Sequence, residues 1–185
     1  MTAPPAGFRQ TGAVTEESAL IVAVPETEPA VGAHRARLDR AAGWGVPAHV
    51  TVLYPFMPPR LITADVIDEL AALFTALPRF AADFTEVRWF ADDVVYLAPT
   101  SDRPFRELTE VVWRRFPRFP PYGGAFDDVV PHLTIGHDHP RETLLAAATA
   151  VTAKLPIRAS IHSVQLIGGT AEQNSWTTIH EFPLG

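Results

Sequence analysis

The feature that most constrains this chain is a four-residue pattern written twice. His49-Val50-Thr51-Val52 returns as His132-Leu133-Thr134-Ile135, each a histidine, an apolar residue, a threonine and an apolar residue. Such alternation is a strand pattern, because successive side chains of a β-strand point to opposite faces. His49 and Thr51 then share one face while Val50 and Val52 anchor the strand in a core, and His132 and Thr134 do the same above Leu133 and Ile135. With seven histidines in the chain, chance supplies about 0.1 copies of His-x-Thr in that apolar setting, so two copies carry information that one would not.

The order of elements repeats around the two copies. Leu20–Val24 reads as a buried strand, and Thr27 offers a helix N-cap with Pro29 in the first turn, the helix running to Gly43. The first motif strand, about residues 48–54, is closed by Pro55 and Pro58-Pro59. Thr63 caps a helix with Val66, Ile67, Leu70, Leu73, Phe74 and Leu77 on one face. A strand over residues 80–90 ends the half. Val94–Ala98 then starts again as a strand, followed by a helix through Phe105, Leu108, Val112 and Phe116 and a Pro/Gly-rich loop from Pro117 to Asp128. The second motif strand, about residues 129–137, leads to a helix opened by Pro140. Strands over residues 158–167 and 176–182 finish the chain, the last with Trp176, Thr178, His180 and Phe182 on one face.

Each half thus reads strand, helix, His-x-Thr strand, helix, strand, with one strand more in the second. The motifs lie 83 positions apart. This predicts an α+β fold of two pseudo-equivalent lobes, in halves of roughly 17–91 and 92–185, within one domain over 17–185. Equivalent residues would then face each other across a shared groove, where ligands tend to sit. Residues 1–16, rich in Pro, Ala, Gly and Thr and without periodicity, read as a flexible tail.

The net charge of −6 argues against a protein that grips duplex nucleic acid non-specifically, which needs a basic face. The absence of cysteine rules out disulfides, thiolate metal sites and a thiol nucleophile, and fits a reducing cytoplasm. No apolar run approaches membrane-spanning length, and no secretory signal is legible.

Paired His-x-Thr-x motifs, one per half of a small αβ chain, resemble the 2H phosphoesterase superfamily, and within it the group of 2′-5′ RNA ligases and cyclic phosphodiesterases. The likeness covers about residues 18–184, with Pro131 before His132 as supporting context. It implies a bilobal fold with mainly antiparallel sheets and both histidines in a central groove. It also implies no metal or nucleotide cofactor, and chemistry on 2′,3′-cyclic phosphates or related cyclic phosphodiesters, with reversible 2′-5′ joining of RNA ends in some members. By this resemblance His49, Thr51, His132 and Thr134 hold the catalytic positions. The implied partner is an RNA terminus or a small cyclic-phosphate nucleotide, and the protein is expected to be a cytoplasmic monomer.

The residue types suit that chemistry. Opening a cyclic phosphodiester needs a base for water and an acid for the leaving ribose oxygen, and imidazole, with a pKa of about 6.5, serves as either near neutrality. The threonine hydroxyls can donate to the non-bridging oxygens. Sequence leaves open which histidine is acid and which base. Tyr122, in the loop entering the second motif, and Trp176 are candidate platforms for stacking a base, core or rim packing being the plainer reading. A non-catalytic module that binds a nucleotide or RNA end in the same groove is the alternative function. A metal-dependent hydrolase using His132, His137, Asp138 and His139 is the weakest reading, since strand alternation puts His137 and His139 on the face opposite His132.

Overall fold

The computed structural model describes residues 16–126 and 128–185; apart from Glu16, the expected tail lies outside them. Eight strands and five α-helices follow in the order β1 (Glu17–Ala23), α1 (Glu28–Leu38), α2 (Arg40–Gly43), β2 (His49–Leu53), α3 (Ala64–Thr75), β3 (Phe80–Phe90), β4 (Val94–Pro99), α4 (Arg103–Arg115), β5 (Leu133–His137), α5 (Arg141–Thr152), β6 (Ile157–Ile161), β7 (Ser163–Gly169) and β8 (Thr177–Pro183). They build two four-stranded antiparallel sheets, ordered β2-β1-β7-β8 and β5-β4-β3-β6. The architecture is the expected α+β pair of lobes.

The sheets do not follow the two halves of the chain. β3, from the first half, pairs with β4 and β6, while β7 and β8, from the end of the chain, complete the sheet of β1 and β2. The strand expected over residues 158–167 is therefore two strands. Its buried positions switch parity at His162, from Ala159 and Ile161 to Val164 and Leu166. That switch carries the backbone from one sheet to the other.

β2 and β5, the two motif strands, are edge strands of their sheets and lie against each other. Helices bind them crosswise. α1 packs on β5 and α4 on β2, with the Thr109 hydroxyl of α4 donating to the Val52 carbonyl at 2.8 Å. One continuous core runs beneath both sheets, joining Leu20, Val22 and Val50 to Val95, Leu97, Leu133 and Ile135. Removing this apolar surface from water is the main force holding the lobes together.

The helix expected from Thr27 to Gly43 is broken at Asp39, which is extended (φ −124°, ψ 114°). Its carboxylate caps α2, accepting from the Ala41 N–H at 3.0 Å, and also accepts from Nε and Nη2 of buried Arg35 at 3.0 and 2.9 Å. An aspartate that satisfies a new helix start ends the old one. Thr63 caps α3 as expected, whereas the Thr27 hydroxyl donates back to the Val24 carbonyl.

Candidate active site

A cavity of about 400 Å3 opens between the facing edges of the two sheets. All four motif side chains, His49, Thr51, His132 and Thr134, line it. The two imidazoles are held alike. Nδ1 of His49 donates to the Pro47 carbonyl at 2.8 Å, and Nδ1 of His132 to the Val130 carbonyl at 2.7 Å. A backbone acceptor two residues upstream fixes the tautomer, so Nε2 is the nitrogen left to act in each ring. His132 is further braced by the edge-on rings of Phe90 and Tyr96, at 5.0 and 5.4 Å between centroids.

Burial lowers the basicity of both histidines. His49 drops to about 4, through burial first and the Arg35 guanidinium second, with the His132 ring adding to the shift. His132 is lowered by burial, against the opposing pull of its hydrogen bond to Val130 and of the Asp39 carboxylate. Of the two rings, His132 therefore holds a proton more readily than His49.

The repeat is longer than the motif that first draws attention to it. Each motif strand carries a bulge just past its threonine. Ile21 pairs with Thr51 and Leu20 with Leu53, just as Tyr96 pairs with Thr134 and Val95 with Gly136. The extra residue turns the chain by one position. Tyr54 and His137, each five places after its histidine, thus come round to the groove. Strand alternation had put His137 on the opposite face, and the bulge overturns that. His139 stays exposed outside the cavity. Among the described residues no group of three His, Asp or Glu side chains is placed to hold a metal ion.

Both residues at that fifth place are tied to carboxylates. The Tyr54 hydroxyl donates to Glu17 at 2.6 Å, and burial, with that carboxylate, pushes its pKa up to about 12. The His137 ring lies between Asp39, 3.5 Å from Nε2, and Asp138, 3.0 Å from Nδ1. The bond to Asp39 is the larger cause of a raised His137 pKa, with Asp138 adding to it against the effect of burial. Burial would raise Asp39, but the His137 hydrogen bond and the Arg35 charge hold it below the usual carboxylate range.

One wall of the cavity is apolar. Ala19, Ile21, Val46, Ile167 and Trp176 form a small cluster, with Ala41, Trp44 and Tyr54 packed against it. The expected single face for Trp176, Thr178, His180 and Phe182 does not hold. A register shift in β8 pairs Ile167 with Thr178 but Leu166 with His180, so Trp176 faces the groove while Phe182 enters the main core beside His180. Trp176 is fixed by donation from Nε1 to the Thr170 carbonyl at 2.8 Å.

Tyr122 also lines the cavity. Its backbone is left-handed (φ 51°, ψ 32°) and its N–H donates to the Tyr54 carbonyl at 2.6 Å, which pins the loop after α4 to the end of β2. Non-glycine residues hold that conformation only where their surroundings fix it, as at ligand sites. Burial raises the pKa of its phenol, partly offset by the Thr51 hydroxyl.

Sequence reasoning thus found six of the groove's side chains and missed Tyr54, His137, Asp39, Arg40 and Trp44. A signal for the first two was present. In both copies the alternation ends in two consecutive core-type positions, Val52-Leu53 and Ile135-Gly136, which is how a bulge reads in sequence.

The sequence pattern of the family described as the 2′-5′ RNA ligase superfamily matches residues 13–172. Among solved structures, Escherichia coli LigT complexed with NADP+ superposes with a TM-score of 0.58 at 18% identity, over 93% of this chain and 99% of that one. The same protein complexed with 3′-AMP gives a TM-score of 0.57 at 15% identity, over 92% and 98%. TT0787 of Thermus thermophilus gives 0.62 at 16% identity, over 91% and 97%. At these identities the likeness is one of fold. No curated protein matches the chain.

Proposed function

Because this chain belongs to the 2′-5′ RNA ligase superfamily, we propose that it is a metal-independent phosphoesterase that opens a 2′,3′-cyclic phosphate or a related cyclic phosphodiester. The observation that carries this reading is the pair of imidazoles lining one cavity, each with Nδ1 bound to a backbone carbonyl and Nε2 free. A binding module needs donors, but it has no use for two matched nitrogens that can each exchange a proton.

His49, the less basic ring, is the base. Its Nε2 takes a proton from water as the water oxygen bonds to phosphorus. His132 is the acid, and its Nε2 delivers a proton to the ribose 2′ or 3′ oxygen as that P–O bond breaks. The bound phosphate anion raises the His132 pKa and so supplies the protonated form. Thr51 and Thr134 donate to the non-bridging oxygens, where charge builds up. The nucleobase lies against the apolar wall of Trp44 and Trp176, with Tyr122 at the loop side. A cavity of about 400 Å3 fits a mononucleotide or the last residue of an RNA. That E. coli LigT has been crystallised with 3′-AMP and with phosphate supports a nucleotide ligand. With an RNA 5′ hydroxyl in place of water, the same ring opening forms a P–O5′ bond as the P–O3′ bond breaks, and the product is a 2′-5′ linkage; its reverse closes the ring again and releases the 5′ hydroxyl.

The test is turnover of 2′,3′-cyclic nucleotides and cyclic-phosphate-ended oligonucleotides in EDTA, by wild type and by His49→Gln and His132→Gln. Each variant is expected to lose roughly 10²–10⁴-fold in kcat. Binding without turnover in the wild type would replace this reading with the binding module, and turnover that survives both substitutions would refute it.

A further inference from the structure

Nothing in the two-histidine mechanism uses the third imidazole of the groove. We propose that His137, clasped between the carboxylates of Asp39 and Asp138 on the groove wall, is a binding residue for the substrate's phosphate anion and acts by charge, not by proton transfer. The inference rests on the phosphodiester reading of the groove and adds a residue to it.

Three observations carry it. The bulge in β5 places the ring in the same cavity as His49 and His132. Both its nitrogens face carboxylate oxygens, at 3.5 and 3.0 Å, an arrangement that suits a ring with two N–H donors and leaves neither nitrogen to carry a proton to or from substrate. Each carboxylate is also already paired with an arginine. Asp39 takes two bonds from Arg35 of α1, and Asp138 takes one from Arg40 of α2 at 2.7 Å. Arg35 also lies 3.9 Å from the Glu28 carboxylate, which is not part of the groove lining, so of the positive groups on this wall His137 is the one that both aspartates hold beside the two motif imidazoles.

Other imidazoles lie near this ring. His49, across the groove on β2, and His132, just before β5, are both less basic than free imidazole. His139, beyond Asp138, is exposed. Of the three groove imidazoles, His137 is the one whose basicity is raised, the bond to Asp39 being the larger cause.

The experiment uses the full chain and sulfate, a phosphate-like anion whose own charge is constant across the range. Sulfate affinity is measured by calorimetry at about pH 6.5 and about pH 9 for wild type, His137→Gln and His137→Lys, beside KM and kcat for a 2′,3′-cyclic nucleotide. One unit charge near a half-buried anion is worth roughly tenfold in affinity. Wild-type binding is expected to weaken by about that factor as pH rises. His137→Gln should bind about tenfold more weakly at the lower pH and change less with pH than wild type, what remains being proton uptake by His132, with its kinetic loss falling on KM more than on kcat. His137→Lys should bind well at both values. A glutamine variant that binds as tightly as wild type, or a lysine variant no better than glutamine, overturns the proposal. Failure of wild type to bind sulfate at either pH would remove the phosphodiester reading itself.

Discussion

Burial of the two motif histidines sets the pH at which this protein should work. In free enzyme and free substrate, kcat/KM reports the pKa values of the unliganded base and acid. The proposed base, His49, is held down to about 4, and the proposed acid, His132, below its ordinary 6.5. The productive state has His49 neutral and His132 protonated. It is most populated between those two values and declines tenfold per pH unit beyond either. At about pH 7.5, a full unit above the ordinary imidazole value, kcat/KM should be at least tenfold below its maximum. A cyclic phosphodiester does not titrate in this range, so the limbs belong to the protein. Bound phosphate raises the His132 pKa, so the basic limb of kcat should lie at higher pH than that of kcat/KM. Initial rates of 2′,3′-cyclic AMP hydrolysis, well below KM and at constant ionic strength from about pH 4 to 9, check this. A kcat/KM maximum at or above pH 7.5, or a flat profile, would refute the reasoning.

Two further outcomes concern the frame around the groove. Gly136 has no room for a methyl group: a Cβ there would lie 2.7 Å from Leu38 Cβ of α1 and 3.1 Å from Leu144 Cδ2 of α5, so Gly136→Ala should cost about 1–3 kcal/mol and lower Tm by roughly 2–10 °C, and an unchanged Tm would show that α1 does not pack as tightly as described. Arg35→Met leaves the buried Asp39 carboxylate without its two guanidinium bonds and should cost roughly 3–5 kcal/mol in urea unfolding, a loss under about 1 kcal/mol arguing that the pair does not hold the α1–α2 break.

What could be read from the sequence was what is written with a regular period. The alternation of His49 to Val52 and of His132 to Ile135 specified two strands and the face that lines the groove. The apolar spacing of residues 66–77 specified α3. The parts that escaped are places where period is broken. A bulge adds one residue to a strand, and beyond it every parity argument inverts, which is why His137 was assigned to the opposite face and Trp176 to the face of Phe182. The change of sheet at His162 is another break of phase within an apolar run. Asp39 escaped for a different reason. Its role depends on Arg35 four residues before it and on His137 about a hundred residues after it, and only the second partner shows that a helix break sits at the groove. Partners from distant parts of the chain have no local signature.

The exchange of strands between the lobes has a consequence for how this protein comes into being on the ribosome. β1, the inner neighbour of the strand that bears His49, is flanked on its other side by β7. The first motif histidine to be synthesised thus waits for residues 163–169 before its sheet can close. A nascent chain that already contains both histidines still has an unfilled edge at β1, and its strands are open to wrong partners until residues 163–183 emerge. Enzymatic competence should arrive in one step, once residues 163–183 have emerged, with no half-built form that is partly active.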